Sequence, residues 1–102
     1  MTGIEELFEK VDEELSDAME YAEKAMNHKA EHPAKAEMFY SLSLEELKHK
    51  NMLMNQIVKD LQTCIEKHPE KEEYLRAMYE MGNKRAIKWE NAIRVYQNMF
   101  RE

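Results

Sequence analysis

Apolar and small residues recur three and four positions apart along most of the chain. In the first third they fall at Ile4, Phe8, Val11, Leu15, Ala18, Ala22 and Ala25, one narrow stripe on a helix of 3.6 residues per turn, and this predicts a helix near residues 4 to 30. A second series, Phe39, Leu42, Ser43, Leu53, Ile57, Leu61 and Cys64, predicts a helix near 34 to 66. A third, broader face formed by Leu75, Met78, Tyr79, Gly82, Ala86, Trp89, Ile93, Tyr96 and Phe100 predicts one near 70 to 100, with Trp89 as its largest contribution to a core. Two His-Pro pairs, His32-Pro33 and His68-Pro69, separate the series. Proline disfavours α geometry in the residue before it and suits the first helical turn. The expected fold class is all-α: three long antiparallel helices running up, down and up in one domain over residues 1–102, because short connections force sequential helices to reverse direction.

Composition strengthens that reading. The 102 residues include only two glycines and two prolines, and helix formers dominate the rest. An elongated bundle of this size has a thin core, so self-association as a homo-oligomer is expected. The net charge of -6, from 15 basic and 21 acidic side chains mixed along the sequence, offers no face for a phosphate backbone and argues against a nucleic-acid partner. Cys64 is the only cysteine, which excludes an internal disulfide and fits a reducing compartment, so a cytoplasmic location is expected. The opening residues carry acids in place of a basic secretory segment, and no apolar run approaches the roughly 20 residues of a membrane span.

One position breaks the apolar rhythm. Glu46 stands in the second stripe between Phe39 and Leu53 where an apolar residue is due, and His49 lies one turn on at the stripe's edge. A buried, uncompensated carboxylate costs several kcal/mol or takes up a proton, so Glu46 requires a cation, a proton or a hydrogen-bond network. On the first helix, Glu14 shares the stripe of Val11, Ala18 and Tyr21, and Asp17 flanks it one turn away. A helical hairpin would bring either acid toward Glu46 and His49. Lys50, also close to the second stripe, is a competing source of positive charge. Glu45 sits off the stripe as a solvated acid, within helical reach of Lys48 or His49. His28, His32 and His68 stand near helix ends, where imidazolium meets terminal carbonyls, and Cys64 reads as a small core residue. The nine methionines read mainly as filler for a loose core, with an adaptable partner surface as the alternative. No Gly-rich phosphate loop and no Ser-His-Asp or Cys-His signature occurs.

The segment from Phe39 to His49, with its aromatic pair, Leu42, the Glu45-Glu46 pair and His49, resembles the second-helix signature of the ferritin-like and rubrerythrin superfamily. Pro33 also sits where that pattern often has a proline. Glu14, followed seven positions later by Tyr21, is similar to the family's first-helix metal ligand. The resemblance spans roughly residues 7 to 57 and implies a metal site of Glu14, Glu46 and His49, with Asp17 as second choice after Glu14. It implies iron or manganese, ions that suit carboxylate and imidazole ligands. A full ferritin-like subunit has two copies of the Glu-x-x-His motif, and this chain has one. As in short encapsulated ferritins, which the chain resembles in this respect, homodimerisation would complete a four-helix bundle. The chain also resembles small uncharacterised helical proteins of bacterial, especially clostridial, phages and prophages. Two functions are therefore expected: a ferritin-like metal-binding protein oxidising Fe(II), or a non-enzymatic helical interaction module without metal.

Overall fold

In the computed structural model, which describes residues 3–102, the chain forms α1 (Gly3–His28), α2 (Pro33–Lys67) and α3 (Glu72–Arg101), with a short 3-10 turn at Pro69–Lys71 leading into α3. No strand occurs among the described residues. At 1.5 Å per residue such helices span about 40 to 50 Å, and the longest dimension of the molecule is 57 Å against 18 and 17 Å across.

Both helix breaks fall at the His-Pro pairs. Pro33 opens α2 without the need for a backbone N–H, and the His32 N–H instead donates to the carbonyl of His28 at 2.9 Å. The His68 N–H returns to the carbonyl of Cys64 at 2.9 Å, so the end of α2 keeps a partner for one of its last carbonyls.

The packing of α1 on α2 is graded. All seven residues of the α1 stripe are buried. Towards its C-terminal end the stripe is alanine, and there Ala25 shares a buried cluster with Ala36 and Phe100. Further from the connection, the Ser43 hydroxyl donates to the Ala18 carbonyl at 2.7 Å. Only small side chains allow one helix to touch the backbone of another in this way. Beyond that level the larger Leu15, Val11, Phe8 and Ile4 meet Leu47, Ile57 and Leu61 in the main core.

On α3, Leu75, Gly82, Ala86, Ile93, Gln97 and Phe100 are buried. Gly82 permits a flush contact, since a Cβ there would overlap the ring of Phe8. Arg85 reaches Asp12 at 3.1 Å, and Lys29 donates to the Met99 carbonyl at 3.3 Å. The seam between α2 and α3 is polar. Gln97 donates to the Ser43 hydroxyl at 2.9 Å, Lys50 pairs with Glu90, and Arg101 makes two bonds of 2.8 Å to Glu37. The Arg101 guanidinium also lies over Tyr40, 4.1 Å from the ring centre, and its bonds hold the exposed Glu37 carboxyl below the usual range.

The core departs from the sequence pattern at several points. Trp89 is only partly buried and packs against the core from outside. Tyr96 is exposed, while Ala36, Leu47, Lys50 and Gln97 are buried in α2 and α3. Methionine serves both purposes: Met19, Met54 and Met78 pack on the core, whereas Met38, Met52, Met81 and Met99 are exposed.

Ser43 is the junction of all three helices, because it donates to α1 and accepts from α3. Ser43→Ala leaves the buried Ala18 carbonyl and the Gln97 amide without that partner, and should destabilise the protein by about 1 to 3 kcal/mol. A lower urea midpoint at unchanged slope is the expected measurement.

Candidate metal centre

The α1–α2 pairing carries Glu14 to Glu46 and His49, one turn along from the Ala18–Ser43 contact. The small residues at that level bring the two backbones together, and the long acidic side chains above them converge as a result. His49 Nδ1 lies 3.5 Å from Glu14 Oε2 and 3.7 Å from Glu46 Oε1. One donor atom from each of the three residues falls within 4.8 Å of the others.

The site is layered. The Glu46 and Glu14 side chains are 17% and 25% exposed, and His49 stands over them at 53%. Glu14 Oε2 is shut off from solvent and makes no hydrogen bond among the described residues. Glu46 feels the consequence. A hydrogen bond shared with the adjoining Glu14 carboxyl group, then burial and the Glu14 charge, push the Glu46 carboxyl up to about 7; the charge of His49 opposes this, and that of Asp17 adds to it. Two carboxylates at this distance favour a shared proton or a cation between them.

The donor set fits a divalent cation. Two carboxylates and an imidazole are oxygen and nitrogen ligands of the kind that hold iron, manganese or zinc. Glu14 Oε2 makes no hydrogen bond among the described residues, and a cation between the two acids would take the place of the proton that Glu46 holds below about pH 7. Three residues leave further coordination positions for water or for groups of a second molecule.

Of the four residues expected from sequence, Glu14, Glu46 and His49 come together. Asp17 is exposed and outside that group, although its charge still bears on Glu46. Glu14 is thus the α1 acid that the fold brings to the site. Lys50, the competing cation, points elsewhere: it is 8% exposed and pairs with Glu90 of α3. Sequence reasoning does not single out Glu90. Its signal lies in the placement of Lys50 on the buried stripe, which demands an acid from a neighbouring helix.

Comparison with known protein families, curated proteins and solved structures finds no match to this chain. No helix among the described residues is long and apolar enough to cross a membrane.

Proposed function

We propose that the protein is a ferritin-like carboxylate metal-binding protein in which Glu14, Glu46 and His49 hold an iron or manganese ion. The observation that carries this reading is the convergence of the three side chains around a Glu14 oxygen that makes no hydrogen bond among the described residues. The protein spends folding energy on keeping two acids side by side, and a cation is the partner that turns this repulsion into attraction. Iron held with open coordination positions supplies oxidation of Fe(II) by dioxygen or peroxide. In that chemistry the chain's own residues orient the ion and neutralise its charge.

The face of the α1–α2 hairpin that bears the site is also where a second copy would dock. An antiparallel hairpin packed on its twofold mate makes a four-helix bundle and brings two half-open sites together, each supplying positions the other lacks.

A second reading, a helical interaction module without metal, is favoured by one specific observation. Tyr74, Met81, Val95 and Met99 recur along a single outer stripe of α3 and are exposed, Met81 to 71%. Such a stripe suits a partner helix.

Anaerobic titration with Mn(II) and Fe(II) separates the two. The metal-binding reading expects stoichiometric uptake, followed by oxidation of the iron on admission of dioxygen, and expects both to disappear in the Glu46→Ala, His49→Ala double variant. Uptake that persists unchanged in that variant, or a wild-type protein that dimerises yet takes up neither ion, rejects the metal site and leaves the module.

A further inference from the structure

We propose that Glu90 is a positioning residue that holds Lys50 away from the Glu14–Glu46 pair and so keeps the site open to an external cation. The inference rests on the metal-binding reading and assigns a residue of α3 to the control of that site.

The argument starts from local helix physics. Glu46 and Lys50 stand four residues apart in α2, with the acid on the N-terminal side. That is the favourable orientation for a helical ion pair. An ammonium tethered one turn away also has a high effective concentration, so a lysine left to itself would neutralise Glu46 and exclude a metal ion. The structure departs from this local preference. The Lys50 Nζ pairs with Glu90 of α3 and donates to Asn51 Oδ1 at 2.6 Å.

Glu90 is itself fixed. Arg94 Nε lies 3.6 Å from its second oxygen, Arg94 donates to Gln97 at 2.9 Å, and Gln97 donates to Ser43 at 2.9 Å. A chain of polar contacts therefore runs from the α1–α2 seam, along one face of α3, to the carboxylate that holds Lys50. The ammonium stays in the α2–α3 seam, and His49 is left as the basic group that contacts the two acids among the described residues.

The test is a cycle of variants read by Mn(II) titration under electron paramagnetic resonance. Glu90→Ala removes the acceptor that holds Lys50 and should weaken Mn(II) binding about tenfold or more. Removing the lysine as well, in Lys50→Gln with Glu90→Ala, should restore affinity to that of Lys50→Gln alone. Arg94 keeps its bond to Gln97, and circular dichroism establishes that each variant is helical. An unchanged affinity in Glu90→Ala, or a double variant as weak as Glu90→Ala, overturns the assignment.

A second readout needs no metal. In a crystal structure of the metal-free Glu90→Ala variant the Lys50 ammonium should lie beside the Glu46 carboxylate. An ammonium that stays in the α2–α3 seam overturns the Glu90 role whatever the Mn(II) result. Failure of the wild-type protein to bind Mn(II) strikes only the metal reading.

Discussion

Glu46→Gln should weaken metal binding severely and yet make the metal-free protein more stable at pH 8. In the folded chain the Glu46 carboxyl is pushed from its ordinary 4.5 up to about 7 by the neighbouring Glu14 carboxylate and by burial. Between these two values the folded state holds more proton than the unfolded chain, so stability falls as pH rises through the window. The stabilising contribution is complete below 4.5 and gone above about 7. Gln carries no charge at any of these values, and its amide gives the orphaned Glu14 Oε2 a donor. Each tenfold change in proton affinity is worth about 1.4 kcal/mol; discounted for the solvent that reaches the rim of the site, the gain at pH 8 should be about 1 to 2 kcal/mol. At pH 4.5 the two proteins should unfold alike. Metal affinity moves the other way. Loss of residues that only orient metal ligands costs about 10- to 100-fold, so loss of this carboxylate should cost at least about 100-fold. Thermal melts at the two pH values, with and without Mn(II), read both effects. A variant that is less stable than wild type at pH 8 would contradict the mutual repulsion on which the site is built.

Ala18→Leu should do the largest damage to the fold. Ala18 is completely buried, and its carbonyl accepts from Ser43. Three added carbons find no space there without prising α1 from α2. Overpacking of this sort costs about 1 to 3 kcal/mol or more, and the broken Ser43 bond adds to it. For a chain of this length the melting temperature should fall by about 10 to 20 °C. Because Glu14 lies one turn from Ala18, and Glu46 one turn from Ser43, the same separation draws the two acids apart. The residual folded protein should bind Mn(II) weakly although no ligand has changed, and its Glu46 should titrate closer to the ordinary carboxylate range. Retention of full affinity in this variant would show that the ligands do not depend on helix spacing.

Much of this is legible in the order of residues. The α1 stripe can be read in full because a narrow, wholly covered face leaves a strict three-and-four rhythm. The helix limits follow from Pro33 and Pro69, which act locally. Glu46 stands out because a charge interrupts an apolar stripe, whereas periodicity alone leaves Glu14 and Asp17 both open, and only the resemblance carried by Glu14 and Tyr21 puts Glu14 first. What the pattern does not disclose depends on a third element. Lys50 and Gln97 are buried because each finds a partner across the α2–α3 seam, and a one-helix pattern names neither partner. Tyr96 and Trp89 depart in the opposite sense, since α3 is broadly apolar and periodicity alone does not say which part of a wide face is covered.

The flush contact between Gly82 and Phe8 has a mechanical corollary. The third helix is fastened at that point and again where Phe100 enters the Ala25–Ala36 cluster, and Glu90 sits on the stretch between the two fastenings. A rod clamped at both ends slides and rolls little. Any exchange of partners by the Lys50 ammonium then reduces to rotation about side-chain bonds, which is fast, with the helices themselves standing still.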